Sequence, residues 1–280
     1  CGRFDTNYDP RAGGLRFDGR PSTDYPSLWI PDSYGIREVH VLIDFLVALG
    51  VSLVVIQVMV FSTTIYLHRS ATHRALTLHP FAQWVFRFFT WLTTGIVPRE
   101  WVAVHRKHHA HTDEEGDPHS PKLVGFWRVQ LGNVFYYIKE TKNEETVRTF
   151  AKDMLKSDVW DRIAFNYGGF GILTGTVLAC SVLGWWGLFT VAFAGFMYVF
   201  VLSSSINGLC HHFGYKNFDN TAGNFRSVAL LTGGEGLHNN HHGQPRAAKF
   251  SVRRSEIDPA WPIIRTLEIL GLARISKVAA

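Results

Sequence analysis

The chain has 280 residues and a formal net charge of +5, with 46% hydrophobic and 14% aromatic residues. Its cysteines, Cys1, Cys180 and Cys210, form no C-x-x-C pair, which excludes a thiolate zinc site or an iron–sulfur cluster built by this chain alone. A mean hydropathy of +0.03 conceals a division into polar and strongly apolar blocks.

Residues 1–38 read as an irregular N-terminal arm, since Gly, Asp, Arg and Pro fill its first part and no cleavable signal pattern is present. Cys1 in place of Met suggests a fragment or a processed form. From Val39 to Leu67 the only titratable groups are His40 and Asp44. One bilayer crossing takes about 20 apolar residues, so this stretch predicts one span, about 39–67. His68 and His73 follow at once. Five residues apart, they sit about 140° around an ideal helix, so they reach two ions, or one ion where the helix end distorts.

The stretch Phe81–Val97 is bounded by Pro80 and Pro98 and carries Arg87 at its middle. It predicts an amphipathic helix in the membrane interface; a crossing there would separate His68 and His73 from the later histidines. His105-Arg106-Lys107-His108-His109 comes next, and then a charged, partly helical linker over 113–165. Residues 168–210 hold no Asp, Glu, Lys, Arg or His. That run predicts two spans, about 168–184 and 187–207, with Gly184-Trp185-Trp186-Gly187 as an interfacial turn. A hairpin returns to the side it left, which brings the 105–109 cluster to the membrane face of His238-Asn239-Asn240-His241-His242. Excess Lys and Arg over 68–87 and 212–280 points to the cytosolic face. A basic surface also suits membrane lipid or an acidic protein; no nucleic-acid partner is expected.

H-x-x-H-H places three imidazoles at i, i+3 and i+4, on one helix face, and imidazole is a common ligand of iron, zinc and copper. Two copies predict a many-ligand site with two ions. His211 and His212 are adjacent and cannot point the same way; Asn207 shares a face with His211, which makes His211 the better candidate. His40, His79, His111 and His119 fit no such face and are expected to make ordinary hydrogen bonds. Carboxylates are scarce: Glu235 lies in Gly233-Gly234-Glu235-Gly236, poor helix material, and reads as a partner orienting an imidazole N–H. The H-E-x-x-H of zinc proteases is absent.

This set resembles the membrane fatty-acyl desaturases, stearoyl-CoA desaturase-like and of the histidine-box di-iron type, over roughly residues 60–245. His68-Arg-Ser-Ala-Thr-His73, His105-Arg-Lys-His-His109 and Gly-Glu-Gly-Leu-His238-Asn-Asn-His-His242 are similar to its three boxes, and Asn207-Gly-Leu-Cys-His211 to a further segment. The resemblance implies that His68, His73, His105, His108, His109, His211, His238, His241 and His242 bind two iron ions, with Asn207 holding a metal-bound water. It implies an all-α integral membrane protein: three or four transmembrane helices under a cytosolic helical cap, 68–167 and 211–280, within one domain over 39–280. The membrane is then the bacterial inner membrane or the endoplasmic reticulum.

The implied activity is insertion of a cis double bond, delta-9-like, into a long acyl chain, with O2 as co-substrate and two external electrons. No heme-binding or flavin pattern is present, so the resemblance implies a separate donor, a ferredoxin or cytochrome b5-like protein. Where the acyl-CoA enzymes carry an Arg-Asp pair, this chain has Ala103 and Val104, which leaves acyl-CoA, acyl-lipid and acyl-carrier-protein substrates open. Trp84, Phe88, Phe89, Trp91 and Trp101 are candidates for a substrate slot, with membrane anchoring or packing the favoured reading. A lipid hydroxylase or related di-iron oxygenase uses the same histidine set. A membrane metal transporter is the rival from another class, disfavoured because transport sites put ionisable ligands within the spans.

Overall fold

The computed structural model describes residues 34–278 except Leu155, with side chains from residue 38 onward. Most of the expected N-terminal arm lies outside the described residues. Contacts divide the chain into units 1–42 and 43–280. The described part of the first is the opening of a helix, which begins at Tyr34 rather than near 39.

Helix α1 spans Tyr34–Phe61 and runs without a break into a π-helical segment, Ser62–Thr72. Glu38–Thr72 together make 35 residues, long and apolar enough to cross a membrane. The π segment is the distorted helix end of the second alternative given for His68 and His73. In i→i+5 pairing, residues five apart come onto one face, and the His73 N–H donates to the His68 carbonyl at 3.1 Å. Their rings are 4.8 Å apart.

Strand β1, Leu76–Leu78, pairs antiparallel with β2, Ala273–Ile275, which returns the C-terminal segment to the first histidine pair. Helix α2, Pro80–Thr94, is opened by the ring of His79, which accepts from the Phe81 N–H, and closed by Gly95 at φ +64°. Arg87 is not a snorkelling interface charge: it is 8% exposed, pairs with Asp158 at 2.6 Å and with Asp161, and lies over Phe165. Helices α3, Pro98–Ala110, α4, Pro121–Val124, α5, Phe126–Thr141, and α6, Glu144–Phe150, follow.

The apolar hairpin is α7, Gly168–Leu183, and α8, Trp186–Phe196. The second arm continues through π turns at Met197–Ser203 and Ser205–Leu209 into α9, Cys210–His212. Trp186–His212 is the second helix among the described residues long and apolar enough to span; Gly168–Leu183 is apolar but shorter. Helices α10, Arg226–Leu231, α11, His238–Gly243, and α12, Ala260–Ile269, complete the described order. α12 packs through Ile264 on Ile65, Leu67 and Leu76.

Close backbone approach joins α2 to α7. A Cβ on Gly171 would lie 2.0 Å from the Trp91 carbonyl oxygen, and one on Gly168 1.9 Å from that of Gly95. Gly171→Val therefore forces the helices apart, at about 1–3 kcal/mol for such overpacking. Thermal unfolding in detergent is expected to show a lower midpoint for Gly171→Val, and an unchanged one for Gly169→Ala, whose Cβ meets nothing within 4 Å.

Candidate metal centre

Four stretches of helix bring the histidines together. His68 and His73 come from the π segment, His105, His108 and His109 from α3, His211 from α9, and His238, His241 and His242 from α11. They form two groups whose ligand atoms lie within 4.8 Å of one another: His68, His73, His105, His109 and His241, and then His108, His211, His238 and His242. The H-x-x-H-H triplets therefore do not act as units. In each, the i and i+4 members share a group and the i+3 member crosses to the other, and α3 and α11 divide in opposite senses.

The ring nitrogens fit a cation in each group. Nε2 of His241 lies 3.0 Å from that of His68 and 2.9 Å from that of His109, which is 3.1 Å from Nε2 of His105. In the second group, Nε2 of His211 lies 3.2 Å from that of His108 and 2.9 Å from that of His238; His242 is 3.2 Å from His238. Two nitrogens each about 2.1 Å from one ion and at right angles stand about 3 Å apart. The buried His73 Nε2 has no hydrogen-bond partner. Burial also pushes the imidazoles of His105, His109, His238, His241 and His242 well below their ordinary pKa, so they are neutral, the form that binds a metal.

Carboxylates stand behind the imidazoles. His68 Nδ1 donates to Glu235 at 2.7 Å, His108 Nδ1 to Asp117 at 3.0 Å and His211 Nδ1 to Asp113 at 3.1 Å. A proton held at Nδ1 leaves the Nε2 lone pair facing inward. Thr64 also donates to Glu235. Burial works to raise the Asp117 carboxyl, but the His108 bond and backbone N–H groups outweigh it and hold it down to about 2. Burial opposes the downward shift of Asp113 too, and its bond to His211 prevails. Sequence reasoning missed Asp113 and Asp117; the acidic run directly after the 105–109 cluster was the available signal.

A buried ion pair locks the frame. Arg69 is fully buried, makes two hydrogen bonds to Asp258 at 2.9 and 3.0 Å, donates to the carbonyls of Gly233 and Ala248, and lies 3.8 Å above the Phe250 ring. Phe250 packs against His68 and His241. Arg106 spans the Ala71 and Thr72 carbonyls and Asp153, tying α3 to the end of the π segment.

A cavity of about 390 Å³ opens against His68 and His105. Of the proposed slot aromatics only Trp101 lines it, stacked on His105 at 4.7 Å. Trp84, Phe88 and Trp91 pack instead among Trp160, Phe165 and one another, because they lie on the far side of α2. Phe89 is partly exposed. Asn207 and Glu235 line the cavity. So does His119, contrary to the hydrogen bonds expected of it: it is 4% exposed, stacks on His108, and neither ring nitrogen has a partner.

Residues 44–272 match the family described as fatty acid desaturase. The chain is 32% identical over 238 residues to an acyl-CoA C20 Delta5-desaturase of Anemone leveillei, covering 78% of this chain and 70% of that one. It is 31% identical to an sn-1 stearoyl-lipid 9-desaturase of Anabaena variabilis (77% and 78% covered) and 30% identical to Delta-9 acyl-lipid desaturase 1 of Arabidopsis thaliana (82% and 75%).

Loss of an orienting partner behind a metal-bound histidine costs about 10- to 100-fold in metal affinity. Asp117→Asn is expected to lower metal retention by that order, read as metal content after dialysis against a graded chelator, with the far-ultraviolet spectrum unchanged.

Proposed function

The chain belongs to the fatty acid desaturase family, oxidoreductases acting on fatty-acyl chains, and from that premise we propose that it inserts a cis double bond into a long acyl chain held beside two iron ions. The observation that carries this reading is the cavity wall, which joins apolar Val60, Ile96, Val104, Val134, Leu202 and Ile206 to His68 and His105. Methylenes offer no polar handle, so the C–C bond that reacts is selected by shape and depth.

In this reading His68, His73, His105, His109 and His241 hold one iron, and His108, His211, His238 and His242 the other. Asn207, four residues before His211, holds water beside the second. Bound iron supplies activation of O2 and removal of hydrogen from adjacent methylenes. Glu235, Asp117 and Asp113 keep three imidazoles in the Nδ1–H tautomer, and Trp101 holds the plane of His105 while shielding it from water. Thr63 and Tyr198 join across the cavity wall at 2.5 Å, tying the π segment to the π turn after α8.

Ala103 and Val104 are buried, and Val104 faces the cavity, so neither position offers a charge to an acyl carrier. The spans proposed are about 39–67, 168–184 and 187–207, with α2 in the interface and the histidines in a cytosolic cap. Electrons come from a separate ferredoxin or cytochrome b5-like donor docked on the basic face. Arg253 and Arg254 are exposed there, and reversing both charges is expected to slow reduction, more at low salt than at high.

Expression in a host lacking desaturases is expected to add mono-unsaturated chains to its total fatty acids. His241→Ala is expected to abolish them, since it removes a ligand where no carboxylate faces the ion. Hydroxylated chains in place of olefins would reassign the reaction; product persisting in His241→Ala would dismiss the site.

A further inference from the structure

Polar side chains line the cavity alongside the apolar ones. Along α5, Asn133, Tyr137 and Thr141 recur at i, i+4 and i+8 and face it, beside His119 and Asn207 from neighbouring segments. Asn133 is 5% exposed and His119 4%. The Asn133 Oδ1 and both ring nitrogens of His119 are buried without partners, as is Gln130 Oε1 one turn earlier on α5. Buried polar atoms are rarely left unpaired, because an orphan loses the hydrogen bond it made to water. An acyl chain cannot satisfy them; water, with two to four partners, does.

Desaturation itself calls for such water. The balanced reaction, –CH2–CH2– + O2 + 2 e⁻ + 2 H⁺ → –CH=CH– + 2 H2O, takes two protons from solvent, the electrons coming from the one-electron donor. Both protons and both product waters must pass a cavity otherwise filled by the chain. Resting on the desaturase reading, we propose that Asn133, Tyr137, His119 and Asn207 hold a file of ordered water, which carries protons in and product water out beside the acyl chain. His119 is a positioning residue here. Both of its ring nitrogens are free, so one can donate to water and the other accept from it.

The test uses the full chain loaded with iron, with chemical reductant, O2 and an acyl substrate that the wild type desaturates. His119→Phe and Asn133→Leu are expected to keep wild-type iron content and substrate binding, while olefin formed per O2 consumed falls about 10- to 100-fold and hydrogen peroxide appears. The solvent deuterium isotope effect on olefin formation is expected to rise in both, and His119→Gln to restore part of the coupling. Coupling and isotope effect equal to wild type in both variants would overturn the proposal. Should the variants not fold, a high-resolution structure of the wild type decides it: solvent density bonded to His119 and Asn133 supports the file, and its absence overturns it. Wild-type protein that binds iron but forms no olefin would instead sink the desaturase reading.

Discussion

Nine imidazoles turned toward one another are the constraint on which the fold rests. Their Nε2 atoms stand 2.9–3.2 Å apart, a spacing at which neighbouring rings can share one cation. Binding free energy at such a site is also folding free energy: the π segment, α3, α9 and α11 are far apart in sequence, and a shared cation would add to contacts such as those of Arg106, which join α3 to the π segment. Neutral ligands leave the cations' charge uncompensated at first contact. The protein places its negative charge one bond further out, on Glu235, Asp117 and Asp113, where it orients each imidazole and offsets the ions without competing for a coordination position.

The backbone solves the geometry in two ways. A π segment lets His68 and His73, which a regular helix would splay, serve one group. In α3 and α11 the i and i+4 residues converge, and the i+3 residue, on the flank of the same face, reaches across to the neighbouring group. Each helix thus contributes to both groups, so neither group assembles without the other's helices. The spacing H-x-x-H-H is what a helix needs to bridge two sites a few ångströms apart.

The identity of the nine histidines was legible because imidazole chemistry and helical periodicity both act locally. The uncharged hairpin was legible for the same reason. Partition between the two groups was not, since it depends on how α3 and α11 face each other. For His68 and His73 the sequence left an ideal and a distorted helix end open; the i→i+5 bond from His73 to His68 is the distorted one. Arg87 looked like an interfacial charge because Asp158 and Asp161 lie over 70 residues away in sequence. Trp84, Phe88 and Trp91 pack together, the reading already favoured over a slot, while aromatic content alone could not single out Trp101 as the one that meets the cavity. His119 looked idle because it lies outside every box; only its burial beside His108, with no partner, marks it.

Arg69 illustrates why the frame is polar at all. A buried ion pair rarely outdoes a well-packed apolar pair in stability, so the bidentate Arg69–Asp258 contact needs another justification. Its guanidinium also takes the carbonyls of Gly233 and Ala248 and covers Phe250. Gly234 sits at φ +99°, and a Cβ there would collide with Asp258 and Arg69, so the turn carrying Glu235 is moulded to that pair. One residue after His68, Arg69 thereby fixes the turn that supplies the Glu235 hydrogen bond and the ring that packs on His241. Apolar substitutes of equal volume would fill the space but leave the turn free to rotate. Planar, directional hydrogen bonding sets where Glu235 points, and through it which nitrogen of His68 faces the ion.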